Sequence, residues 1–152
     1  MKVKIKWLFA AFVITLGTNS CTFNGTDLKA DAYFFDVKYT MWTYNGNYGR
    51  YECVFDFPEL TPKAYEYGTN SAYVFIDERG MNGNVYETQK PLPYSQTVVN
   101  FSGQLHTETI GYDCSPSSVC FYIQTSDLKD VLLRDYSFKV TLIYNPEYGT
   151  TL

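Results

Sequence analysis

His106 and Glu108 stand two residues apart, so on a strand they share one face. An imidazole beside a carboxylate is the pairing a general base requires. A serine can be added on paper to complete a hydrolytic triad, but no Gly-x-Ser-x-Gly segment is present to expose one. A lone strand histidine is more often solvated surface, and this chain has a single histidine. Asp77 and Glu78 are adjacent, so their carboxylates face opposite ways on a strand and make no glycosidase pair by themselves. Asp56 and Glu59 flank a proline turn and read as groups that cap or solvate it. The cysteines lack the two close pairs of a zinc site. Phosphate loops, EF-hand loops and dinucleotide fingerprints are absent from the sequence. These readings assign no catalytic residue, no metal ligand and no cofactor.

Cys114 and Cys120 enclose Ser115-Pro116-Ser117-Ser118, which is turn chemistry, and in an oxidising compartment the spacing predicts a disulfide between them. Cys53 alternates with Tyr51 and Phe55, which predicts a buried, inert thiol.

The chain holds 15 tyrosines and 11 phenylalanines, a surplus that fits the pleated surface of strands and, as a sharper reading, a stacking surface for sugars. Trp42, Tyr44, Tyr48 and Tyr86 flank two turn signals, at 45–50 and 79–84, and form the candidate aromatic binding surface. Loops on a rigid β scaffold are where recognition sits. The competing reading makes the same rings cross-strand covers for their neighbours.

The elements that must position these residues are short. Residues 32–44 alternate as a half-buried strand with Phe35, Val37, Tyr39 and Met41 on one face. Asn45-Gly46-Asn47 is a hairpin turn, and 50–57 is the partner strand. Thr61-Pro62 reads as an N-cap with proline at the first helical position, and Gly68 as the stop of that helical turn. Strands are expected at 71–77, 85–88, 97–102, 104–112, 121–125 and 136–144, with a second helical turn from Ser126 to Leu132. Short strands at this spacing predict an all-β fold, a single antiparallel β-sandwich, immunoglobulin-like or similar, spanning residues 32–146.

The N-terminus carries a different message. Lys2, Lys4 and Lys6 precede an apolar run from Trp7 to Leu16, the order of an export signal. The run is about half the roughly 20 residues a spanning helix needs. Residues 18–21, Thr-Asn-Ser-Cys, resemble a lipobox, the motif of bacterial lipoproteins in which the cysteine is acylated. Ser20 fits it, while Thr18 and Asn19 depart from the usual residues. The resemblance implies a signal peptide over 1–20, lipid on Cys21, a tether over 21–31 and a tail over 147–152. Phe55-Asp56-Phe57-Pro58-Glu59-Leu60-Thr61, Tyr67-Gly68 and Leu92-Pro93-Tyr94 together resemble a pattern in small lipoproteins of Bacteroidota. The likeness spans residues 51–94 and the closing strand, and it implies an outer-membrane address and a sandwich, with no activity attached.

Without the leader 132 residues remain, and nine basic residues face sixteen acidic ones. An acidic domain of this kind is a poor partner for nucleic acid. The partners expected are a membrane, through the lipid, and a glycan or envelope protein. Two functional classes follow, a non-enzymatic binding or assembly module and an envelope hydrolase acting on glycans through carboxylates brought together from distant positions, beside a blander third, an anchored structural domain with no ligand of its own.

Overall fold

The computed structural model describes residues 28–99, 102–126 and 131–146. The export segment, Cys21, residues 127–130 of the second expected helical turn and the 147–152 tail lie outside the described residues. In chain order the elements are β1 (Lys29–Val37), a 3-10 turn (Tyr39–Met41), β2 (Thr43–Asn45), β3 (Arg50–Asp56), α1 (Pro62–Tyr67), β4 (Thr69–Arg79), β5 (Val85–Pro91), β6 (Tyr94–Val99), β7 (Leu105–Ser115), β8 (Ser118–Thr125) and β9 (Tyr136–Tyr144). The first strand therefore begins three residues inside the expected tether.

The strands form two antiparallel sheets, β1-β9-β4-β5 and β2-β3-β8-β7-β6, which pack as an all-β sandwich. The first and last strands are neighbours, pairing Lys29 with Tyr144 through Val37 with Tyr136. That order differs from the immunoglobulin arrangement, where the first strand shares its sheet with the second, fifth and fourth.

Period-2 alternation gives each strand its inner face. Val37, Val74, Phe138, Val140 and Leu142 come from one sheet, and Ile110, Val119, Phe121 and Ile123 from the other, all without solvent exposure. Phe121 and Phe138 stack across the two sheets at 4.0 Å, and Phe35 packs against Phe55, Phe57 and Phe121. Each buried ring or aliphatic contributes on the order of 1.5–3 kcal/mol by leaving water.

The helical turn between the sheets obeys its local chemistry. Thr61 Oγ1 accepts from the Ala64 N–H, and Pro62 occupies the first turn. Gly68 ends the helix for a reason other than left-handed backbone, since its φ is −89°. A Cβ there would lie 2.4 Å from the Ala64 carbonyl oxygen and 3.0 Å from that of Ile143.

Two expectations are corrected. The strand read over 32–44 breaks after Val37, because the chain leaves one sheet and enters the other through the 3-10 turn. The break shifts the alternation by one, so Tyr39 and Met41 are exposed and Trp42 is buried. The Cys114–Cys120 disulfide does not form: both thiols are free, as is that of Cys53. Ser115 pairs with Ser118 across a two-residue turn, so Cys114 opposes Val119 and Cys120 opposes Asp113. Neighbouring register positions point to opposite faces of a sheet. Cys114 thus faces inward beside Tyr112, and Cys120 faces outward. Burial pushes both thiols up to about 11. Cys53 lies on the inner face and is buried, and burial raises its pKa too.

Candidate functional site

Of the fourteen described tyrosines, six are exposed and one, Tyr136, is buried. Phe57, Phe121 and Phe138 are buried in the core. A phenol tolerates a half-wet position because its hydroxyl keeps a partner there. Tyr39, Tyr44, Tyr48 and Tyr86 share the end of the sandwich where β1 and β4 finish and β3 and β9 begin.

The four aromatics of the sequence reading do not form one surface. Trp42 is 7 % exposed, edge-on to Tyr136 and Phe138, and its Nε1–H donates to the Arg134 carbonyl at 3.0 Å. It is a core residue that joins two connections, and it leaves the candidate surface. Tyr44 packs on its cross-strand partner Tyr51, ring centroids 5.2 Å apart, and keeps about half its area exposed. Tyr86, on the β4–β5 hairpin, accepts a hydrogen bond from Asn82 Nδ2 at 2.7 Å. That bond, with a second from Asn84, lowers the phenol pKa. Tyr48 is 64 % exposed.

Tyr48 belongs to a stack that the sequence did not reveal. Tyr122 lies opposite Gly111, and its ring occupies the space a side chain there would fill, with Cζ 2.3 Å from an ideal Cβ. The Arg50 guanidinium lies over that ring, 4.1 Å from the centroid, and over the Tyr48 ring at 5.0 Å. Arg50 Nε donates to Glu52 at 2.7 Å and Nη2 to Asp113 at 2.6 Å, while Asn45 Nδ2 donates to the other Glu52 oxygen at 2.8 Å. Burial alone would lower the Arg50 pKa, but its bonds to Glu52 and Asp113 outweigh that and the net shift is upward. The Asn45 bond, joined by Arg50, holds Glu52 below the usual carboxylate range against the opposing effect of burial. The guanidinium is thus neutralised in place and serves as a spacer between two rings.

A cleft of about 370 Å³ opens at the same end, where β4 and β9 part company. Their pairing stops at Val74 and Phe138. Gln96 and Tyr136 line the cleft, and both donate to Oε1 of Glu108, at 2.9 and 3.1 Å. Glu108 is 1 % exposed, so the carboxylate ties β6, β7 and β9 together without meeting solvent. Burial and the Glu108 carboxylate push the Tyr136 phenol well above its ordinary range. His106 is buried on the same inner face, in contrast to the solvated position expected for it. Asp77 and Glu87 line the same cleft as direct cross-strand partners, exposed side by side. Like charges placed opposite one another destabilise a sheet. Sequence reading paired Asp77 with its neighbour and missed Glu87, because only the β4–β5 register joins them.

Among the described residues no group of three or more His, Cys, Asp and Glu side chains could hold a metal ion. Comparison with protein-family models, with curated proteins and with solved structures found no match.

Proposed function

We propose that this chain is an exported lipoprotein of the outer membrane, held by lipid on Cys21, whose β-sandwich binds a glycan or envelope partner without turning it over. The address rests on the order of lysines, apolar run and Ser20-Cys21, and on the resemblance to small Bacteroidota lipoproteins. Among the described residues no helix is long and apolar enough to cross a membrane. The observation that supports binding is the placement of the tyrosines, with Tyr39, Tyr44, Tyr48 and Tyr86 exposed at one end. Tyrosine offers a large amphipathic face at low entropic cost, which suits recognition.

Two experiments test the reading. Intact mass should show an acylated N-terminus at Cys21, lost in Cys21→Ala; an unmodified chain starting beyond Cys21 refutes the anchor. Purified protein should bind envelope fractions, and the triple variant Tyr44→Ala, Tyr48→Ala, Tyr86→Ala should bind less while melting nearly unchanged. Equal binding by the triple variant refutes the role of this end.

A second reading, glycan hydrolysis, draws support from Asp77 and Glu87 at the cleft. Directly opposed strand partners project side chains from the same face, which brings two carboxylates next to each other as a glycosidase requires. Both carboxylates are exposed, so nothing excludes water from them, and we rank this reading second. Hydrolysis of a glycan that vanishes in Asp77→Asn or Glu87→Gln would promote it.

A further inference from the structure

We infer that the outer face of the five-stranded sheet is a binding surface for an uncharged oligosaccharide, seated on Tyr48 and running across the strands toward Thr109. The inference rests on the binding reading above and names its ligand class and its surface.

The stack fixes the platform. Gly111 lets Tyr122 lean flat across the sheet, Arg50 covers Tyr122, and Glu52 and Asp113 fasten Arg50 from both sides. Tyr48 lies against the far side of this assembly and stays 64 % exposed. A ring held this way loses little freedom when a ligand stacks on it. Beside it Asp113, half exposed, offers carboxylate oxygens to hydroxyl donors.

The same face continues into a shallow groove lined by Thr107, Thr109, Gln124 and Ser126. Gln124 opposes Thr109, and the Thr109 hydroxyl bonds to that of Ser95 on the next strand at 2.8 Å. Among the described residues no charged or aliphatic side chain lines the groove. From β3 to β6 the face spans three strand spacings, about 14 Å, enough for a short oligosaccharide.

Charge decides among ligand classes. Among the described residues the one cation on this strip is neutralised by two carboxylates, and the mature domain is acidic, so a polyanion is repelled. The described side chains lining the groove include no apolar anchor of the kind a protein interface uses at its centre, and the exposed aliphatics of this face, Val54, Val99 and Leu105, are not among them. Hydroxyls, a carboxamide, a carboxylate and a ring face are what an uncharged sugar chain can satisfy, by hydrogen bonding to its hydroxyls and stacking on its C–H face.

The whole chain, purified in detergent, is titrated by calorimetry with glucan, mannan, xylan and galactan oligosaccharides, with polygalacturonate as the anionic probe. At least one uncharged oligosaccharide should bind. Tyr48→Ala should weaken it by about tenfold, in line with an aromatic contact. Gln124→Ala should weaken it as well, and Tyr65→Ala, on α1 at the opposite end, should leave it unchanged. Binding that ignores both Tyr48→Ala and Gln124→Ala refutes the surface, and preference for polygalacturonate refutes the ligand class. Tyrosine-dependent binding to envelope fractions without binding to any oligosaccharide overturns this inference and leaves the binding reading standing. Absence of both overturns the two together.

Discussion

Replacing Arg50 by methionine keeps the stem that covers Tyr122 and removes the charge and its fork. The Arg50 and Glu52 side chains are 16 % and 15 % exposed. A hydrogen bond to a charged group is worth about 1.5–3 kcal/mol. The stack is the outermost layer of the sheet, and solvent screening brings that arm to roughly 1–1.5 kcal/mol. Asp113 is 56 % exposed, so its arm adds at most about 1 kcal/mol. The guanidinium over Tyr122 adds about 0.5–1 kcal/mol. Arg50→Met should therefore cost about 2–3 kcal/mol, a melting shift of roughly 10 °C for a domain of this size. Urea unfolding at neutral pH gives the free energy directly. Asp113→Asn should cost less than half as much, and Arg50→Lys should recover only part of the loss because lysine cannot bridge both carboxylates in one plane. The pH profile supplies an independent check. The folded Glu52 pKa is depressed, so its contribution is present above the unfolded carboxyl pKa of about 4.3 and is lost as pH falls toward the folded value. The gap between wild type and Arg50→Met should narrow below about pH 4. A difference under about 0.5 kcal/mol at pH 7, the scatter of ordinary surface substitutions, would show that the stack contributes nothing to folding.

Other expectations follow from the same geometry. Trp42→Ala should destabilise by about 3–5 kcal/mol in urea unfolding, the cost of an emptied core site, while Tyr48→Ala and Tyr86→Ala stay within about 1 kcal/mol. Gly111→Ala should cost about 1–3 kcal/mol, because the new methyl displaces Tyr122 and with it Arg50, and Arg50→Met should lose most of its effect in that background. Peptide mapping without reductant should find Cys53, Cys114 and Cys120 as thiols, and a Cys114–Cys120 link would contradict the hairpin register. Tyr136→Phe removes a donor from buried Glu108 and should cost about 1–3 kcal/mol. The raised Tyr136 pKa means that stability is intact below about pH 10 and falls above it as the unfolded phenol ionises first, a limb that Tyr136→Phe should flatten in alkaline melts.

Local chemistry was legible where a few adjacent residues decide the outcome. Thr61-Pro62 names a helix start because the cap and the missing N–H act within one turn, and β9 is read correctly over 136–144 because Phe138, Val140 and Leu142 alternate without interruption. The break after Val37 was hidden. Its alternating pattern continues through Tyr39 and Met41, and only the need to cross between sheets ends it. The hairpin at Ser115–Ser118 was recognised as a turn, but its length fixes parity, and parity forbids the bridge. Two residues in the turn place Cys114 opposite Val119. A loop with one residue more or fewer would shift that parity.

The buried carboxylate shows why the interior polar site was missed. Glu108 and His106 alternate with Thr107 and Thr109, so either face of β7 reads as the wet one, and Leu105 argues for the wrong choice since it is 72 % exposed. The donors that make Glu108 tolerable inside come from Gln96 and Tyr136, twelve and 28 residues away, on strands of both sheets. A carboxyl group is buried only where such partners converge, so its burial is a property of the assembled sandwich. The Arg50 stack has the same origin, with ring, glycine and carboxylates drawn from three strands. Tyrosine content, by contrast, was visible at once, but composition alone cannot separate a cross-strand cover from a binding face. Tyr44 packs on its cross-strand partner Tyr51, whereas Tyr48 lies over the Arg50 guanidinium with most of its area exposed. Tyr44 spends its inner face on another side chain of its own sheet. Tyr48 rests on a cation already neutralised by two carboxylates and leaves its free face to solvent.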